Sequence, residues 1–109
     1  MIVVIYSFNI GSCSIFPKEG VILVDEFTLR CQGWNDKHAP LRYRFYGKRD
    51  GVISEIHDGF VPSSMTGLSL RSNVAGGEEE VQFVYFDIID RLGGRTTVND
   101  TVLVSKAQN

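Results

Sequence analysis

The chain has 109 residues, 43% of them apolar and 11% aromatic, with a formal charge of −2. That length fits one domain able to bury a core, and the near-neutral balance excludes a general attraction to a phosphate backbone or an anionic membrane surface. No apolar run reaches the roughly 18 residues that would cross a bilayer as a helix.

No segment places apolar residues at helical spacing over three turns. Short β-branched and aromatic runs recur instead, punctuated by Gly, Pro, Asn and Asp. Strands are expected near residues 2–8, 12–17, 25–33, 41–47, 51–57, 67–72, 79–89 and 95–105. The opening "MIVVIYSF" is barely long enough for the apolar part of a signal peptide and has no basic residue before it. It reads better as a first strand, with Met1 standing where a larger protein is cut; the signal-peptide alternative stays open. In the 25–33 run Phe27, Leu29 and Cys31 alternate with Thr28, Arg30 and Gln32. In the next strand Leu41, Tyr43 and Phe45 alternate with Arg42, Arg44 and Tyr46. This is the pattern of antiparallel strands with one wet face. "VQFVYFDII" is apolar on both faces, which predicts a central strand partly covered on its outer side. In "DRLGGRTTV", Gly93 and Gly94 are expected to supply the positive φ of a tight turn into the last strand. Seven or eight short strands in one domain predict an all-β, two-sheet antiparallel sandwich of the immunoglobulin or fibronectin type III kind, with residues 1–109 as a single module.

Both cysteines lie in "CSIFPKEGVILVDEFTLRC". Pro17 and Gly20 suit a turn between them, so the chain can run out from Cys13, reverse, and set Cys31 beside it. The expected disulfide joins the first two strands within one sheet, whereas an antibody-type bridge crosses between sheets. It implies an extracellular or luminal home. The alternative is a pair of buried thiols in a reducing compartment. Two cysteines are too few for a zinc site, and their spacing fits no CxxC motif. Asn99-Asp100-Thr101 is a glycosylation sequon, weak as a signal by itself, in a polar stretch beside the expected hairpin turn.

The remaining chemistry is sparse. Trp34 falls three residues after Cys31, so alternation places it on the face opposite the sulfur, packed against neighbours or offered to a sugar. "LRYRFYGKR" mixes bases with aromatics, but single-strand binders need both on one surface. Here alternation turns Tyr43 and Phe45 inward and Arg42 and Arg44 outward, which argues against nucleic acid. Arg42, Arg44 and Tyr46, with Trp34, are the candidate contacts for an acidic or glycan ligand. Glu78 to Glu80 and Asp36, Asp58, Asp87 and Asp90 raise calcium, which needs 6–8 converging oxygens. No calcium loop is present, and the Asp pair before Arg-Leu-Gly-Gly reads as a turn former. His38 and His57 are the only imidazoles, and no Gly-x-Ser-x-Gly, HExxH or Walker sequence occurs. The reading is therefore a non-enzyme without metal or cofactor.

One stretch carries a family resemblance. Cys13, Pro17, Gly20, Phe27, Cys31, Gly33, Trp34, Asp36, Pro40, Leu41, Tyr43 and Phe45 fall at the spacing of the receptor-for-egg-jelly (REJ) module of polycystin-1-like proteins. The ending "VYFDIIDRLGGRTTV" looks like the close of many PKD, cadherin-like and fibronectin-type sandwiches. Two departures stand out: the chain is one module long where the REJ region is far larger, and the aromatic-Asp-x-Gly-Asp segment of a PKD repeat proper is missing. The resemblance implies a piece of the cell-surface ectodomain of a membrane glycoprotein. Such a module serves spacing, adhesion or ligand recognition in a receptor or calcium-channel-associated complex. Its partners would be neighbouring modules or an extracellular protein or glycan, and it would meet the membrane only through the parent protein. A carbohydrate-binding or accessory sandwich of a secreted or surface protein is the alternative.

Overall fold

The computed structural model describes residues 11–22, 24–35, 38–49, 51–66 and 78–107. The strands expected at 2–8 and 67–72 lie outside them. Among the described residues eight strands are present: β1 (Ser12–Phe16), β2 (Glu19–Ile22), β3 (Phe27–Gln32), β4 (Arg42–Arg49), β5 (Val52–Gly59), β6 (Ser63–Thr66), β7 (Glu79–Ile89) and β8 (Arg95–Lys106). They form two sheets, one ordered β1-β3-β6 and the other β2-β8-β7-β4-β5. The all-β sandwich is therefore the fold.

The inward rows follow the alternation. Ile15, Phe27, Leu29 and Cys31 come from the smaller sheet, and Tyr43, Phe45, Val84, Phe86, Ile88, Val102 and Val104 from the larger; all are buried in one core, with Leu41 just before β4. Phe45 meets Phe86 edge to face, with ring centroids 5.0 Å apart, a favoured aromatic geometry. The long strand β7 lies at the centre of the five-stranded sheet, as its two-faced apolarity predicts.

Three details depart from the sequence reading. The "FPKEGV" segment does more than turn. After Pro17 the chain leaves β1 and lays down β2, which pairs parallel with β8 from Glu19↔Leu103 to Ile22↔Lys106, so the sandwich is not wholly antiparallel. Gly20 permits this crossing because a Cβ there would stand 2.7 Å from the Phe27 ring. The short strand β6, in a Pro-Ser-Ser stretch that reads as a loop, pairs with β3 through Phe27↔Thr66 to Arg30↔Ser63. At the β7–β8 turn only Gly93 has positive φ, at 89°. The turn is closed by Asp90, whose Oδ1 accepts from the N–H of Leu92 at 2.9 Å and of Gly94 at 2.8 Å.

The cysteines pair. Cys13 and Cys31 face each other in the β1–β3 register and are joined by a disulfide. The bridge links β1 to β3 rather than consecutive strands, because β2, between them in sequence, belongs to the other sheet.

A second tie holds β1 across the sandwich. Asp100 of β8 points inward, and its Oδ2 accepts the backbone N–H of Ile15 at 3.0 Å and the ammonium of Lys18. Its Oδ1 accepts the N–H of Thr101 at 2.9 Å. Burial pushes this carboxyl upward, but the hydrogen bonds from Lys18, Ile15 and Thr101 outweigh it and hold the group below the ordinary carboxylate value. A depressed carboxyl stabilises the fold above its unfolded-state pKa, and that contribution fades as pH falls through the folded value.

Replacing both cysteines with serine is expected to lower unfolding stability by about 3 kcal/mol, the chain-entropy figure for a loop of this length, measured by denaturant titration. Asp100→Ala, which strips the buried Ile15 N–H of its acceptor, is expected to cost about 1–3 kcal/mol at neutral pH. The same variant should flatten the fall in stability below about pH 4, read from denaturation midpoints across an acid series.

Candidate functional site

On the outer face of the five-stranded sheet, side chains from alternate positions stand in rows across the strands. One row runs Thr97, Asp87, Arg44, Asp58 from β8 to β5. The next runs Asn99, Tyr85, Tyr46, Glu55. Two further pairs, Thr101 with Phe83 and Leu103 with Val81, extend the face along β8 and β7. Register shifts between Phe45 and Tyr46 on the β5 side, where a bulge leaves Ile56 out of the ladder. Ile56 packs against the core, while Glu55 remains opposite Tyr46.

The first row is polar and closed by its own contacts. Asp87 is only 1% exposed although it points away from the core. Its Oδ1 accepts from the Thr97 hydroxyl at 2.6 Å and from the Tyr46 phenol at 3.3 Å. Arg95 stands 3.7 Å from its Oδ2, which has no hydrogen bond of its own. Burial first, and then the Asp87 charge, raise the Tyr46 phenol pKa. Arg42 makes a two-pronged ion pair with Asp58, and Arg44 donates from Nε to Glu55 at 3.1 Å. The hydrogen bond from Arg42 holds the Asp58 carboxyl below its ordinary value, though both partners are well exposed to water, so the pair adds little stability.

The second row is aromatic. Tyr46 and Tyr85 stack at 5.5 Å between centroids with planes 16° apart, and the Arg44 guanidinium lies 4.9 Å above the Tyr46 ring. Beyond it Phe83 is 50% and Val81 57% exposed.

Of the four candidate ligand contacts, Arg42, Arg44 and Tyr46 share this face, and each is engaged within the chain. Trp34 does not join them. It packs partly buried against the core, and its indole N–H points at the Ser12 carbonyl at 3.2 Å and at Cys13 Sγ at 3.3 Å. The expected opposite-face placement of Trp34 fails because Gly33 takes a φ of 77°. That left-handed residue breaks the alternation and turns the indole back toward the disulfide. Gly11 completes the arrangement, since a Cβ on it would lie 2.6 Å from the Trp34 backbone nitrogen.

His57 packs its ring 5.0 Å from Phe45 and donates from Nε2 to the Val61 carbonyl at 2.8 Å; the His38 carbonyl accepts the N–H of Arg91. Among the described residues no three His, Cys, Asp or Glu side chains converge to hold a metal ion. The sequon asparagine, Asn99, is exposed in the body of β8, not beside the turn, because the strand extends from Arg95 to Lys106. The sequence reading missed Tyr85, Asp87, Thr97 and Phe83 as members of one face. The signal was there in "FVYFD": once Val84 and Phe86 point inward, Phe83, Tyr85 and Asp87 point out together.

Thr97→Val, which keeps the shape and removes the shortest donor to Asp87, is expected to lower stability by about 1–3 kcal/mol, read by denaturant titration beside Thr101→Val, an exposed control on the same strand expected to change little.

The comparisons with known proteins fit this picture. The human polycystin family receptor for egg jelly is 35% identical over 49 residues, 45% of this chain and 2% of that protein. The mouse polycystin family receptor for egg jelly is 27% identical over 85 residues, 78% of this chain and 4% of that protein. The chain thus spans only a few hundredths of the length of these relatives. The REJ domain family model matches from residue 3 to residue 109, and the chain belongs to the REJ domain family.

Proposed function

We propose that this chain is a non-catalytic extracellular module of a polycystin-like receptor in the membrane, whose task is to hold spacing and present surface to neighbouring modules. The observation that carries the reading is the Cys13–Cys31 bridge at the edge of a sandwich of the REJ family. A structural disulfide persists in oxidising compartments and is rare in the cytosol. The small fraction of the relatives that the chain spans supports a part built to act within a long ectodomain. The ionisable side chains support the same role, since Asp87, Asp90, Asp100, Arg42, Arg44 and His57 are spent on holding strands and turns together. Adhesion or ligand capture, and any link to a calcium channel, would belong to the assembled receptor.

The test is an epitope tag placed in the exposed turn at Leu92 of the full-length parent protein expressed in animal cells. Antibody should label the tag on intact cells, and mass spectrometry without reduction should find Cys13 and Cys31 protected from alkylation. Labelling only after the membrane is opened, with both thiols alkylated, would overturn the proposal.

A further inference from the structure

The aromatic half of the outer face has a modification signal at its border. Asn99 and Thr101 are both exposed on that face. Asp100 between them is turned inward and fixed there by Ile15 and Lys18, so the strand holds the two sequon side chains on the same side. Asn99 is directly opposite Tyr85, and Thr101 directly opposite Phe83. Side chains so paired stand about 5 Å apart at Cβ. Tyr85 stacks one ring face on Tyr46 of β4, which leaves the second face for the β8 side. Phe83, Val81 and half-buried Leu103 continue the apolar surface beside it. A contiguous apolar patch on a soluble surface calls for a cover.

We propose that Asn99 carries an N-linked glycan whose first N-acetylglucosamine lies over Tyr85 and Phe83, so that the sugar covers this face of the sheet. The modification rests on the extracellular reading above, because the transfer happens in the secretory lumen. In it the Asn99 side-chain nitrogen bonds to the anomeric carbon of an oligosaccharide carried on a lipid pyrophosphate. The bond from that carbon to the pyrophosphate breaks, the lipid pyrophosphate leaves with the electron pair, and the amide nitrogen gives up one proton. A pyranose ring has one face lined with C–H groups, which packs on an aromatic ring while its hydroxyls stay in water. Tyr85 and Phe83 offer such rings within reach of the first sugar, and the Thr97 and Thr101 hydroxyls flank it. The linkage tethers the sugar, so a contact too weak to hold a dissolved saccharide is populated by effective concentration.

The experiment uses the chain secreted from mammalian cells behind a cleavable signal sequence. Enzymatic release of the glycan in ¹⁸O water should convert Asn99 to labelled Asp, and Thr101→Ala should abolish the label while Asn99 remains. On material trimmed to one N-acetylglucosamine, NMR should show sugar protons shifted upfield, with cross-peaks to the Tyr85 and Phe83 rings. The shift should be lost in Phe83→Ser/Tyr85→Ser, which changes side chains on the outer face and not in the core. Asn99→Gln should bind more of a hydrophobic dye than the glycosylated chain. An unmodified Asn99 in secreted, disulfide-bonded material overturns the proposal, as do sugar protons at the positions found in a short glycopeptide. Surface labelling of the parent protein with an unmodified Asn99 sinks the glycan alone, whereas a tag reached only inside the cell sinks both readings.

Discussion

The sandwich depends on how its first strand is held. Among the described residues β1 is the edge strand of a three-stranded sheet, and an edge strand keeps one row of backbone groups without ladder partners. Here it is tied on both sides. Cys13 fixes it covalently to β3, and the Asp100 carboxylate reaches across from β8 to take the N–H of Ile15. From β1 the chain passes Pro17, crosses to the opposite sheet, and adds β2 parallel to β8. One continuous segment therefore closes an edge of each sheet, and the backbone N–H of Leu103 in β8 meets the Lys18 carbonyl at the crossing. The two ties differ in kind. The disulfide constrains the unfolded chain whatever the pH, whereas the carboxylate contributes only while it is charged.

Much of this was legible in the sequence, and the exceptions have physical causes. Strict alternation in "FTLRCQ" and "LRYRF" sorted core from surface residue by residue, since an antiparallel strand with one wet face offers no other arrangement. β7 could be placed at the centre because both of its faces are apolar. The strands β2 and β6 were hidden by their four-residue length and by the turn-forming composition around them. What makes them strands is their partners, β8 and β3, and pairing between distant segments leaves little mark on local pattern. Trp34 was misplaced because alternation holds only while the backbone stays extended, and Gly33 ends it. The disulfide could be read from spacing and turn residues; its strand partners could not, because nothing local announces that the intervening segment changes sheets.

Asp87 shows the same limit at the candidate site. A carboxylate in an apolar strand reads as a surface charge, and by direction it is one, since it points out of the sandwich. Its burial comes from side chains of other strands: Thr97 from β8, Tyr46 from β4 and Arg95 at the start of β8 close over it. A long central strand has neighbours on both sides, and their side chains can roof a short one between them. The aspartate in turn orients the Tyr46 hydroxyl and, through that ring, the Tyr85 stack.

The outer face therefore has two halves with different solutions to the same problem. A five-stranded sheet in a two-layer sandwich has only one face covered by its partner sheet, and its central strand is apolar on both. At the end near the β7–β8 turn, the chain covers the exposed side with its own polar groups, Thr97, Tyr46 and Arg95 over Asp87, beside the exposed ion pairs between β4 and β5. Toward the other end of β7 that device runs out. The opposing residues become Asn99, Thr101 and Leu103, and Phe83 and Val81 are left 50% and 57% exposed. The change from self-covered to uncovered surface falls next to the row that contains Asn99, because the pairing of β4 with β7 ends at Gly47↔Val84 and beyond it only β8 pairs with β7.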